Sequence, residues 1–233
     1  MRLVDYLNER ASDYGKGITF VDIDETMFRT FAMIHVINKE TGKLIRKLDN
    51  QEFNSYQLKD NEEFDFDEFR DSNVFYDTSK PIVPMVDRVK RMINKLKQNE
   101  RGSKLIFLTA REDFNDKEKF LDKFRKHGID MNFKPAVYVE RAGNIRGMPI
   151  PAKKEQVVMK YLKSDNYRRV RMIDDHIKNI TQFMSISNRI PDSIKNNVKK
   201  AYNIPDGEVI MEFYGLYIDE NGKLKLLDKK EIY

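Results

Sequence analysis

The chain has 233 residues, 40% of them hydrophobic and 11% aromatic, which suffices for one larger α/β domain or a core with a small accessory lobe. It contains no cysteine, so a disulfide frame, a thiolate metal site and thiol catalysis are excluded. Lys plus Arg at 43 against Asp plus Glu at 38 leaves +5, compatible with an anionic substrate but far from the profile of a DNA-coating protein.

The N-terminus, Met1-Arg2-Leu3-Val4-Asp5, has no apolar signal core, and no run approaches membrane-spanning length. A soluble, cytoplasmic protein without a membrane partner is therefore expected. Residues 2–11 read as a short amphipathic helix with Leu3, Val4 and Leu7 on one side, broken by Gly15 and Gly17. Ile18-Thr19-Phe20-Val21 then has the composition of a strand buried on both faces, and it ends in Asp22-Ile23-Asp24-Glu25-Thr26. Residues i and i+2 of an extended segment share a face, which places two carboxylates together at a strand end. Three uses compete for them. A calcium loop fails, because its sixth and twelfth positions hold Met27 and Met33 rather than Gly and Glu. Turn and helix-cap roles are the bland alternative. The third is phosphoryl transfer through an aspartate nucleophile with magnesium, which needs further groups downstream.

Met27–Thr30 reads as one helical turn, and Phe31–Asn38 with Lys43–Leu48 as a β-hairpin around Lys39-Glu40-Thr41-Gly42. Such a flap would overhang the acidic strand end. Residues 49–80 are the least patterned; within them Glu62–Phe69 reads as a short helix with Phe66 and Phe69 inward and its acids solvated. Flap and small cap together occupy about 27–80 of a single domain spanning 1–233.

Pro84 opens a helix carrying Met85, Val86, Val89, Met92, Ile93 and Leu96 at helical spacing. Lys104–Arg111 is a second buried strand ending in Thr109 and Arg111, followed by a helix over about 115–127. Ala136–Glu140 is a third strand and Lys153–Lys163 a helix. Arg169–Asp175 is a fourth strand, ending in Asp174 and Asp175. Helices near 176–186 and 191–202 lead to a fifth strand over Glu208–Tyr214, and Asp219–Gly222 turns a terminal hairpin within about 208–228. Strands alternating with helices predict an α/β fold, a Rossmann-like three-layer sandwich with a mostly parallel five-stranded sheet. Ligands of such sheets bind at the carboxyl ends of the strands, where Asp22, Asp24, Thr109, Lys153, Lys154, Asp174 and Asp175 can meet.

Asp-x-Asp-x-Thr after a strand, then apolar-Thr, then a helix-start Lys, then apolar-Asp-Asp, resembles the haloacid dehalogenase superfamily of hydrolases over roughly residues 17–215. The resemblance implies that Asp22 attacks phosphorus to give an aspartyl-phosphate and that Asp24 acts as general acid and base. It implies that Thr109 hydrogen-bonds a phosphoryl oxygen and a lysine neutralises its charge. It implies Mg²⁺ held by Asp22, Asp174, the backbone carbonyl of Asp24, and Asp175 directly or through water. Lys-x-x-apolar-apolar fits Lys154 with Val157 and Val158 better than Lys153. A lysine at a helix start opposes the dipole, which itself hints at use.

Thr109-Ala110-Arg111, Glu140-Arg141-Ala142-Gly143-Asn144, Lys154-Glu155-Gln156-Val157-Val158 and Ile173-Asp174-Asp175 are similar to the phosphatase domain of polynucleotide kinase–phosphatases, which removes 3′ phosphates from nucleic-acid ends. No P-loop pattern accompanies them in these residues, so no kinase half is expected within this sequence. Ala110 and Glu25 stand where Gly is commoner in that group. Arg111, Arg141, Lys153 and Thr26 are the candidate substrate-binding residues. His35, His127 and His176 show no metal-ligand spacing. The expected activity is a Mg²⁺-dependent phosphatase acting on a nucleotide or nucleic-acid 3′ end. The alternatives are a phosphatase of sugar phosphates or other small metabolites, and a non-catalytic module on the same fold.

Overall fold

A segment apolar on both faces must be covered on both sides, and Lys16–Val21 (β1) lies inside the main sheet. The computed structural model describes residues 15–98 and 101–233, so the helix expected over 2–11 lies outside the described residues. After β1 the chain turns through Asp22–Met27 and forms the short strand Phe28–Arg29 (β2). Ile34–Asn38 (β3) and Leu44–Leu48 (β4) follow as the expected antiparallel hairpin. Gly42 takes φ +66° in its turn, a conformation that suits a residue without a Cβ.

The helix Asn50–Ser55 (α1) leads to Glu62–Asp65 (β5), which pairs antiparallel with the free side of β3. This overturns the helix expected over 62–69: only Asp67–Arg70 (α2) is helical there. The open edge of β3 supplies partners for an extended backbone, so tertiary pairing prevails over local composition. Glu62, expected in solvent, is buried and accepts hydrogen bonds from the Tyr56 hydroxyl (2.9 Å) and the Lys59 N–H (3.1 Å). Phe66, expected to pack inward, is 40% exposed. Ile34, Val36 and Leu48 form a small core of this sheet with Phe53, Tyr56, Phe64 and Phe69 against it.

Ser72–Thr78 (α3) and Lys80–Pro81 (β6), the latter antiparallel to β2, return the chain to the main body. Val83–Gln98 (α4) has Pro84 in its first turn and buries Met85, Val86, Val89 and Ile93. There follow Lys104–Thr109 (β7), Lys117–Lys126 (α5), Val137–Arg141 (β8), Ile150–Ser164 (α6) and Tyr167–Asp174 (β9). Ile177–Ile186 (α7), Asp192–Ala201 (α8), Met211–Ile218 (β10) and Leu224–Ile232 (β11) complete the chain.

The sheet order is β11-β10-β9-β1-β7-β8, parallel throughout except for the antiparallel pair β10–β11. The α/β class and the mostly parallel sheet therefore hold, with six strands in place of five. The strand expected over 208–214 runs instead from Met211 to Ile218, and the terminal hairpin adds β11 along its edge. That return strand occupies hydrogen-bonding groups that β10 would otherwise leave open. Side chains alternate along each strand: Leu105 and Phe107 face α4 and α5, while Ile106 and Leu108 face α6, α7 and α8. Among the described residues no helix is long and apolar enough to cross a membrane.

Candidate functional site

The neighbours β9, β1 and β7 run parallel, so Asp174, Asp22 and Thr109 emerge at one edge of the sheet. The Asp22 N–H donates to the Ile173 carbonyl (2.9 Å), continuing the ladder by one rung and holding the carboxylate against β9. Lys154, in the second turn of α6, is buried and donates to Asp22 Oδ1 (2.6 Å) and Asp174 Oδ2 (2.7 Å). Its neighbour Lys153 is half-buried and donates to the Gly143 carbonyl (3.4 Å). Of the two lysines, Lys154 is the one inside the acidic centre.

Asp174 is held on several sides. Asn179 Nδ2 donates to both its carboxylate oxygens (3.0 and 3.1 Å), and the His176 N–H to Oδ1 (2.9 Å). Asp175 donates its N–H to Thr26 Oγ1 (3.1 Å), and the Thr26 hydroxyl donates to Asp175 Oδ1 (3.2 Å). Thr26, expected on substrate, is fully buried and instead fixes Asp175. Asp22, Asp174 and Asp175 offer oxygens all within 4.8 Å of one another.

Three carboxylates around one ammonium leave excess negative charge in a buried place. Burial pushes the Asp22 carboxyl well above the usual range; Lys154 opposes this, and Asp174 and Asp175 add to it. Burial and the Asp174 charge push Asp175 up to about 7. For Lys154 burial favours the neutral amine, but Asp174 and Asp22 outweigh it and hold the ammonium above its ordinary pKa. An all-oxygen, over-negative cluster is the donor chemistry that Mg²⁺ or a similar hard divalent cation takes. The set fits the expected cation.

Asp24 has a different setting. Arg111 forks onto it, with Nη2 2.7 Å from Oδ1 and Nε 3.0 Å from each oxygen, and the Thr109 hydroxyl donates to Oδ2 at 3.3 Å. Its carboxylate is thus engaged by Arg111 and Thr109, and its oxygens are not among those that cluster in the acidic trio. The remaining guanidinium donors reach the Phe69 carbonyl (2.8 Å) and Thr30 Oγ1 (2.7 Å), and Phe69, Phe75 and Phe114 ring the group at 4.6–5.6 Å. Arg111, expected on substrate phosphate, has a side chain only 1% exposed and is a structural partner of Asp24. Arg141, expected to do the same, lies 3.3 Å from Asp113 and over the Phe120 ring, and does not line the cavity at Asp24.

Glu25 adopts φ +54°, which explains why glycine suits this position. Its carboxylate accepts the Thr30 N–H (2.9 Å), a compensation glycine could not offer. Gly143 permits a close approach: a Cβ there would stand 2.4 Å from the Ala110 carbonyl oxygen. The loop after β8 is thereby pressed against the end of β7.

A cavity of about 740 Å³ extends from Asp24 between the small sheet and the loops after β7 and β8. Phe53, Phe64, Phe66 and Phe69 line one wall; Ala110, Gly143, Ile150 and Lys153 are on the other. Asn179, Thr30 and the Asp24–Arg111 fork escaped the sequence reading. Asn179 carried a signal, since it lies five residues past Asp174 in the first turn of the next helix.

Fold and site together define an α/β protein with a buried carboxylate–lysine centre at the carboxyl edge of a mostly parallel sheet. No family model, curated protein or solved structure matches the chain.

Proposed function

We propose that the protein is a divalent-cation-dependent phosphomonoester hydrolase working through an aspartyl-phosphate on Asp22. The observation that supports this best is the meeting of Asp22, Lys154 and Asp174 within 2.7 Å contacts, beside a separately held Asp24. Asp22 attacks phosphorus as the bond to the ester oxygen breaks. Asp24 gives its proton to that oxygen, then accepts one from the water that hydrolyses the phosphoaspartate, releasing phosphate and restoring Asp22. Lys154 offsets the charge of the phosphoryl group in transfer, and Thr109 and Arg111 orient Asp24. Mg²⁺ held by Asp22, Asp174 and Asp175 would screen the nucleophile from the phosphate dianion.

The resemblance admits a nucleotide or nucleic-acid 3′ end, or a small metabolite, as leaving group. One observation favours the small molecule: the cavity beyond Asp24 presents five acidic side chains and three basic ones, a poor bed for a polyanionic strand.

The test is hydrolysis of acetyl phosphate and a broad phosphomonoester panel with Mg²⁺. Asp22→Asn is expected to abolish turnover with the far-UV circular dichroism unchanged. Undiminished turnover in that variant would remove the mechanism. Inactivity of the natural protein across the panel would instead favour a binding module.

A further inference from the structure

We infer that the leaving group of the phosphate ester is cationic, an amine or ammonium carried on an apolar body of a few carbons or a ring. The inference rests on the phosphatase reading, because it takes the cavity beyond Asp24 to be where the departing alcohol lies. Asp24 must stand beside the ester oxygen to protonate it, and the rest of the alcohol then continues into the space Asp24 borders.

That space is unusual in its chemistry. Phe53, Phe64, Phe66 and Phe69 form a chain of rings with neighbouring centroids 4.9–6.4 Å apart. Phenylalanine offers a π face and an apolar surface but no hydrogen bond. Of the lining cations, Arg111 is committed to Asp24, and Arg70 is paired with Asp67 and Glu112. Lys153 bonds the Gly143 carbonyl, on the wall facing the rings. Glu63 and Asp65 line the same cavity from the face of β5 opposite Phe64, so negative charge stands beside the aromatic rings. A positive group is attracted by both the ring faces and the carboxylates, whereas a further phosphate is repelled by the latter and gains nothing from the former. Arg111 shows that a cation sits well here, its guanidinium carbon lying 4.6 Å from the Phe69 centroid.

The test compares ω-aminoalkyl phosphates from two to six carbons with alkyl phosphates of matching length, binding to the Asp22→Asn protein with Mg²⁺ being followed by calorimetry. At one or more lengths the amine is expected to bind at least about tenfold more tightly, a difference of about 1.4 kcal/mol. Glu63→Gln with Asp65→Asn, which keeps the hydrogen bond from the Asp67 N–H to residue 65, is expected to erase that preference; Glu63→Gln alone is expected to reduce it. Equal binding at every length, or a preference that survives the double substitution, overturns the inference. So does a kcat/KM of the natural protein higher for a 3′-phosphorylated oligonucleotide than for the best aminoalkyl phosphate. Acetyl phosphate separates the two readings. A protein that hydrolyses it but shows no amine preference loses only the inference. One that prefers the amine but hydrolyses nothing loses the phosphatase reading.

Discussion

Arg111 is the residue whose replacement tests the site most sharply. Its guanidinium binds both oxygens of Asp24, the Phe69 carbonyl and the Thr30 hydroxyl. Arg111→Met fills much of the volume but strands Asp24. Breaking a buried ion pair by removing one partner costs about 3–5 kcal/mol. The Asp24 side chain keeps 20% of its exposure, and allowing for that solvent we expect a loss of about 2–4 kcal/mol. In a protein of this size each kcal/mol moves Tm by about 2–4 °C, giving a fall of about 5–15 °C. Arg111→Lys restores the charge but not the planar fork, so one ammonium must choose among acceptors that three nitrogens now serve. About 1–3 kcal/mol should remain lost. Because Asp24 would then be free to turn, kcat on acetyl phosphate should fall about a hundredfold, the lower end of what a positioned acid–base group contributes. Urea titration by circular dichroism reads the first quantity and phosphate release the second. An Arg111→Lys protein with natural Tm and natural kcat would refute the reasoning.

Three further outcomes follow from the same geometry. Asp175 titrates near 7 in the folded chain against about 3.9 unfolded; the folded state therefore holds more protons between those values. The contribution of Asp175 to metal-free stability should consequently decline as pH rises from 4 to 7, with Asp22 adding in the same direction and His127, lowered by burial, opposing it. Since a bound cation relieves that repulsion, the rise in Tm on adding Mg²⁺ should be larger at pH 8 than at pH 5; thermal melts across pH would show a flat difference if the trio holds no cation. Asn179→Ala removes both side-chain donors to Asp174 and should weaken Mg²⁺ about 10–100-fold, measured as the Mg²⁺ dependence of turnover. Gly143→Ala forces a methyl onto backbone at Ala110–Arg111 and should cost about 1–3 kcal/mol in urea titration, with activity falling as β7's end is displaced.

Local pattern carried most of the centre. Asp22, Thr109, Lys154 and Asp174 each follow an apolar run or open a helix, so their positions at strand and helix ends were readable one motif at a time. Partnerships across the chain were not. Nothing near Arg111 in sequence indicates that it grips Asp24, 87 positions away, and of two arginines of equal promise one holds Asp24 while the other is a half-buried partner of Asp113. Glu62–Asp65 was misread for a related reason. Its acids suggest a wet helix, yet the exposed edge of β3 decides its conformation. The terminal hairpin was readable from its turn at Asp219–Gly222, but not that its return strand, Leu224–Ile232, would extend the main sheet to six strands.

The strained turn after β1 closes a circuit. Glu25 accepts the Thr30 N–H, the Thr30 hydroxyl accepts from Arg111, Arg111 grips Asp24, and Asp24 is bonded through the backbone to Glu25. In a closed ring each member is restrained from two directions, so removing one link leaves an open chain that still holds the others loosely. The first break is costly and the second cheap. Losses at Glu25 and Thr30 are therefore less than additive, and the left-handed backbone at Glu25 is held in place by the ring that fixes the Asp24 carboxylate.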